Sequence, residues 1–406
     1  MERASTILAS TIRRPGRRTG AVVRWAEEPH RTATSLELFY DLCFVVAVAQ
    51  LSSELHHLIV ERRFADGVLG FAATFFGIWW AWVTYVWFAS GHDSDDVPFR
   101  LLTLVQMAGV LVLAAGVHDA MEHFDFTTMT IGYVVMRLGL VGMWLRVARD
   151  QPAHRRRALR YVIGITAVQV VWLLRLALPN DRPVGLASFA VLALIELAIP
   201  LWAERAAPAQ QFHPGHLAER FGLFTIIVLG EVILSSTVAV REAIDAIGID
   251  FDVLVVAAAA LVIAFAVWWS YFGRDDEPEI DRLHGAFFWG YGHLPVFAGL
   301  AAFGAGVHVA VDAAAGSPDV NDRVAALAIT LPLAVAVGGF TISVANARSV
   351  RERRLLPVEA VKFASVLLLG LIAPMYVAIV GTALIFVAGT IVQGIVLDRR
   401  LGVEVA

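Results

Sequence analysis

Cysteine occurs once in 406 residues, at Cys43, so no intramolecular disulfide can staple this chain. Cys43 sits in an apolar run, where a small buried hydrophobe is the default reading. Lysine also occurs once, at Lys362. The other basic residues are all arginine, a skew that points to genomic base composition more than to function. Only 17% of residues are charged, against about a quarter in soluble globular domains. Walker, GxGxxG, CxxC, HExxH and GxSxG-triad patterns are all missing, so nothing supports phosphate-loop ATP hydrolysis or dinucleotide chemistry. Residues 1–35 carry Arg13, Arg14, Arg17, Arg18, Arg24 and Arg31 with no apolar core ahead of the first long hydrophobic run. That argues against a cleavable signal peptide and for a basic tail drawn to anionic headgroups.

Apolar residues are abundant. Hydrophobic residues make up 58% of the chain and mean hydropathy is +0.69, more apolar surface than a water-soluble fold can hide. The apolar runs cover 36–58, 67–90, 99–118, 126–148, 158–178, 184–203, 217–240, 252–272, 285–311, 323–346 and 357–397. A span uses about 20 residues. The last run is twice that and should fold as a hairpin turning between Pro374 and Gly381. The expected fold is all-α: a polytopic transmembrane helical bundle of about twelve helices. A disordered chain, a secreted disulfide scaffold and a nucleic-acid-binding domain are excluded, and the net charge of −4 adds little.

Charge placement gives the orientation. The loops Arg146–Arg160 and Arg348–Arg354 are strongly basic, whereas His118–Asp125 and Asp312–Asp322 lean acidic. The positive-inside rule therefore puts both termini in the cytoplasm, with the bacterial cytoplasmic (inner) membrane as the expected location. Two acidic loops, Asp93–Asp96 and Asp275–Glu277, fall on the cytoplasmic side against this bias, although acids weigh little in it.

The chain also looks duplicated. Ala115-Gly-Val-His118 recurs as Ala305-Gly-Val-His308, Trp79-Trp80 as Trp268-Trp269, and Glu37-Leu-Phe39 as Glu219-Arg-Phe221, in the same order at offsets of 190, 189 and 182. The layout expected is a basic tail (1–35), a six-helix half (36–203), a cytoplasmic linker (204–216), a second six-helix half (217–397) and a short tail (398–406). An even number of spans per half makes the two halves parallel, related by an axis along the membrane normal.

Ionisable side chains inside spans are costly, face the bundle interior and mark candidate function. Glu37 and Asp41 share one face of the first span near its cytoplasmic end. Gln50, nine residues on, points elsewhere. In the seventh span His216, Arg220 and Glu231 lie within about 60° of one another at 100° per residue, with Glu219 flanking them. Glu231 would sit near the bilayer midplane, where it needs an arginine, Arg137 or Arg175, or a proton. His216 and Glu219 also have helical metal-ligand spacing, and His118 with Glu122 and His308 with Asp312 are further His/carboxylate pairs at i and i+4. Interfacial polar caps explain the last two pairs better than a metal or a proton-linked histidine pair does, so no metal and no cofactor is assigned. Trp79, Trp80, Trp82 and Trp87, with Trp268 and Trp269, are expected in an interfacial aromatic belt.

Glu37-Leu-Phe-Tyr-Asp41-Leu, Trp79-Trp-Ala-Trp82, Arg100-Leu-Leu-Thr-Leu-Val-Gln106-Met107 and the string from His216-Leu-Ala-Glu219-Arg220 to Gly230-Glu231 resemble the bacterial low temperature requirement protein A family. The resemblance implies a multi-pass membrane protein linked to growth in the cold. It supplies no biochemical activity and no catalytic or ligand residues. The duplication and the intramembrane polar groups favour a carrier of a small solute or ion. A membrane-embedded enzyme acting on a lipid-type substrate and a non-catalytic structural or sensory component are the alternatives. The partners expected are the lipid bilayer and an unknown small solute, ion or lipid, and homo-oligomerisation is left open. Single cysteines introduced on a Cys43→Ser background test the orientation: those at Ser94, Ala153 and Ser349 should react only from the cytoplasmic side, and one at Ser317 only from outside. External labelling at Ala153 would invert the topology.

Overall fold

The computed structural model describes residues 31–177, 182–206, 212–273, 283–345 and 353–398. Residues 1–30 of the basic tail, residues 207–211 of the linker, the acidic loop Asp275–Glu277, Arg348–Arg351 of the second basic loop and the C-terminal Arg399 and Arg400 lie outside these. Among the described residues there are thirteen α-helices and no strands. They are α1 (Ser35–Val60), α2 (Phe64–His92), α3 (Val97–Ala115), the short α4 (Val117–Glu122), α5 (Thr127–Asp150), α6 (Arg155–Arg175), α7 (Arg182–Glu204), α8 (Pro214–Ile247), α9 (Phe251–Phe272), α10 (Leu283–Ala314), α11 (Asp322–Ala345), α12 (Leu356–Ile372) and α13 (Met375–Asp398). Eleven are long and apolar enough to cross a membrane. α12, with 17 residues, is shorter and carries Glu359 and Lys362 in its first two turns. The chain is a multi-pass membrane protein.

Local chemistry sets the helix ends. Thr34 and Glu37 form a reciprocal capping box that starts α1. Asp96 caps α3 by accepting from the Phe99 amide, and Asp250 caps α9. The long C-terminal run breaks at Ala373, whose extended backbone precedes Pro374, and so becomes the α12–α13 hairpin.

With little hydrophobic drive between helices in lipid, close packing falls to small residues. α3 meets α5 and α10 meets α11 through glycines. A Cβ on Gly132 would lie 2.3 Å from the Leu113 amide nitrogen, and one on Gly306 would lie 1.9 Å from the Ala328 carbonyl oxygen. At the centre, α1 packs against α2, α3 and α4 and also against α8 and α10. α10 is the most enclosed of the apolar spans.

Two expectations need correction here. Trp79, Trp80 and Trp82 are at most 2% exposed, so they build the core and do not form an interfacial belt. Trp82 is held there by a hydrogen bond to a buried carboxylate, and Trp79 and Trp80 pack on Tyr291 of α10. Trp268 and Trp269 face outward at 52% and 62% exposure, so the repeated Trp pair does not share one environment. Arg31, counted with the tail, is also buried.

Candidate functional site

α1 and α8 run side by side, and each turns two ionisable residues inward one helical turn apart. α1 presents Glu37 and Asp41, and α8 presents His216 and Arg220. The Arg220 guanidinium grips Asp41 with two hydrogen bonds, Nε to Oδ2 at 2.8 Å and Nη2 to Oδ1 at 2.6 Å. Its Nη1 lies 3.1 Å from Glu37 Oε1, and His216 Nε2 lies 3.0 Å from the same oxygen. Both of these contacts are close but off the hydrogen-bonding line. Trp82 Nε1 donates to Asp41 at 2.7 Å, and the Thr34 amide donates to Glu37 at 2.8 Å. Arg31 reaches Glu37 at 3.4 Å and Asp93 at 3.5 Å and donates to the backbone carbonyls of Ala89 and Ser90. Glu37, His216 and Arg220 are fully buried, and Asp41 is nearly so.

Burying this many charges costs several kcal/mol per ion unless geometry recovers it. The fork of Arg220 matches the two oxygens of Asp41, and each carboxylate takes a further neutral donor. Arg220 is thus paired with the carboxylates expected to face it. His216 joins them through Glu37. Glu219 does not: it is exposed and accepts only the Ala33 amide, at 2.9 Å, so the His216/Glu219 metal spacing has no counterpart in space. Gln50 is exposed on the far side of α1 and takes no part.

Glu231 stands eleven residues beyond Arg220 and is 4% exposed. Ser235 Oγ donates to its Oε1 at 2.7 Å, and its Oε2 has no hydrogen-bond partner. The arginine partners expected for Glu231 are engaged elsewhere. Arg137 on α5 faces Glu196 of α7 at 3.6 Å and donates to Thr84 at 2.6 Å and to Tyr133. Arg175 donates to Ser188 at 3.0 Å and to the Gly185 carbonyl at 2.9 Å. The reason is topological: α5 packs on α3 and α6, and α6 on α5 and α7, so both arginines are committed within the first half.

The i, i+4 His/carboxylate pairs fare differently: His118 and Glu122 turn to other partners, whereas His308 and Asp312 stay together and are joined by His56. His118 Nδ1 bonds Glu54 at 2.9 Å, while Glu122 is taken by Arg63. His308 Nε2 bonds Glu242 at 3.0 Å, while Asp312 is taken by His56 at 2.7 Å. Hydrogen bonding to Glu54 pushes the exposed His118 imidazole above the usual histidine range. A glutamate of α1 thus meets His118, and a glutamate of α8 meets His308.

Sequence reasoning missed Arg31, Asp93, Trp82, Glu196 and His56. For His56 a signal existed: Ser52 and His56 follow Asp41 on nearly the same face of α1, at eleven and fifteen residues.

A profile described as "Bacterial low temperature requirement A protein (LtrA)" matches residues 32–391. The chain belongs to the bacterial low temperature requirement A family. It is similar to an uncharacterised protein, RA0937, of Rhizobium meliloti (strain 1021), 26% identical over 283 residues. That match spans 65% of this chain and 66%, just under two thirds, of the relative's length. No solved structure matches this family member. The buried and the committed arginines should behave differently on mutation. Arg220→Ala leaves two buried carboxylates facing each other and should cost about 3–5 kcal/mol, seen as loss of folded protein by size-exclusion chromatography. Arg175→Ala, which breaks no ion pair, should leave the elution profile intact.

Proposed function

We propose that this protein is a carrier of a small solute or ion across the bacterial cytoplasmic membrane, and that its working residues line the junction of α1, α8 and α10. The observation that carries this reading is Glu231. It is a mid-helix carboxyl of α8, buried, with one oxygen unpartnered among the described residues. Such a group is stable when protonated or when a passing cation takes the free oxygen. The Arg220 cluster lies on one side of it along the membrane normal. Ser52 of α1, Ser235 and the His56/His308 pair lie level with it or beyond. With both termini inside, Arg220 faces the cytoplasm and the histidines face outward. A role in growth at low temperature follows from the family's description and belongs to the same proposal.

The alternative of an enzyme working on a lipid-type substrate draws on a separate cavity among α2, α5, α6, α7 and α10, walled by Trp80, Trp144 and Tyr291 with Arg137, Glu196 and Glu204. Its volume is about 40 Å³. Its enclosed part leaves room for water-sized groups beside these side chains.

Glu231→Gln keeps size and shape and disturbs one hydrogen bond, worth about 1 kcal/mol. The variant should reach the membrane at normal yield with a normal melting temperature, yet fail to support growth in the cold. Normal growth with Gln at this position would remove Glu231 from the working path and favour a structural or sensory role.

A further inference from the structure

We propose that His56, His308 and Asp312 form a binding site for a divalent first-row transition ion of the zinc class. The site lies at the end of the α1–α8–α10 trio away from Arg220, and it stands independently of the carrier reading. One ligand atom from each of the three residues falls within 4.8 Å of the others. The imidazoles of His56 and His308 stack with centroids 3.9 Å apart and planes 8° from parallel. Asp312 Oδ2 closes on His56 Nε2 at 2.7 Å. Metal–nitrogen and metal–oxygen bonds of about 2.0–2.2 Å put two ligands of one ion at most about 4.2 Å apart, so the ligand atoms need to close by well under 1 Å, and the stacked imidazoles must rotate out of parallel to bring both in-plane lone pairs onto the ion.

Two further observations point to a ligand. The His56 ring is largely buried, Nε2 faces Asp312, and among the described residues Nδ1 has no hydrogen-bond partner, so no protein contact fixes which ring nitrogen carries the proton and either is free to serve as the ligand once the ring turns. Asp312 is 31% exposed at the mouth while His308 behind it is 16% exposed, which gives an ion a path from solvent to nitrogen donors. Glu242 of α8, 3.0 Å from His308 Nε2, is placed either to add a fourth ligand or to orient the ring. Two neutral nitrogens with a carboxylate suit zinc and its neighbours, whereas calcium and magnesium call for oxygen donors throughout. An ion bound here would join α1 of the first half to α10 of the second.

The duplication supplies an internal control. His118, at the repeated position, has one carboxylate, Glu54, and is 62% exposed. Among the described residues, only His56, His308 and Asp312 are grouped in this way.

The test uses the full chain in detergent, with any affinity tag removed and metal stripped by chelator dialysis. ZnCl2 is titrated by calorimetry, and CoCl2 is followed by its visible absorption. One saturable ion per chain is expected. His308→Ala and Asp312→Asn should each weaken it at least about 100-fold, since even outer-shell partners are worth about 10–100-fold. His118→Ala should leave it unchanged. Asp312→Asn changes a partly exposed side chain and so remains informative if the histidine variant fails to fold. Lack of saturable binding in the wild-type chain, undiminished affinity in Asp312→Asn, or loss of binding in His118→Ala would each overturn the proposal.

Discussion

The bidentate pair between Arg220 of α8 and Asp41 of α1 is the contact on which the register of these two helices depends. In lipid, helices gain little from apolar burial against each other, so a desolvated ion pair acts as a register pin. Sliding α8 along α1 by one turn in either direction would break the bidentate Arg220–Asp41 pair. Neighbouring aromatics tighten the constraint. Trp82 fixes Asp41 from α2, while Tyr85 and Phe221 close over the cluster and keep water out.

Once that register is set, the rest of the polar stripe follows from helix geometry. Eleven residues make almost three whole turns, so a face repeats with a drift of about 20°. Counting eleven from Asp41 gives Ser52, and eleven from Arg220 gives Glu231. Gly304 of α10 comes up to this same level. A Cβ there would lie 3.1 Å from Ser52 Oγ and 3.7 Å from Ser235 Oγ, so the glycine lets three helices converge around an acid. One turn further, His56 and His308 meet face to face. The junction is thus graded, from a charge cluster satisfied on several sides, through a half-satisfied carboxyl, to paired imidazoles near the surface.

Much of this was legible in the sequence, for identifiable reasons. The long apolar runs and the final hairpin are written in run lengths and in Pro374, although the 17-residue α12, carrying Glu359 and Lys362, leaves eleven helices apolar and long enough to cross among the described residues where twelve spans were expected. The match of Arg220 to Glu37 and Asp41 is written in their common depth from the start of each half. Depth alone could not say which arginine reaches Glu231, because that depends on which helices are neighbours. Arg137 and Arg175 turned out to be committed to Glu196 and to Ser188. Tryptophan is ambiguous by nature: an amphipathic ring fits an interface or a core with a buried acceptor, and Asp41 supplied that acceptor for Trp82. The His118/Glu122 pair did not hold because Glu122 found Arg63 on another helix, whereas His308 and Asp312 stay grouped and gain His56, which spacing along one helix could not supply.

A double-mutant cycle on Arg220 and Asp41 tests the central constraint most directly. Unfolding free energies of Arg220→Ala, Asp41→Ala and the double variant would be measured in mixed detergent micelles. A coupling energy at or above the upper end of the usual range, about 3 kcal/mol, is expected, with the double variant no less stable than Arg220→Ala. Coupling below about 0.5 kcal/mol would mean that the pair is not what holds the two helices in register.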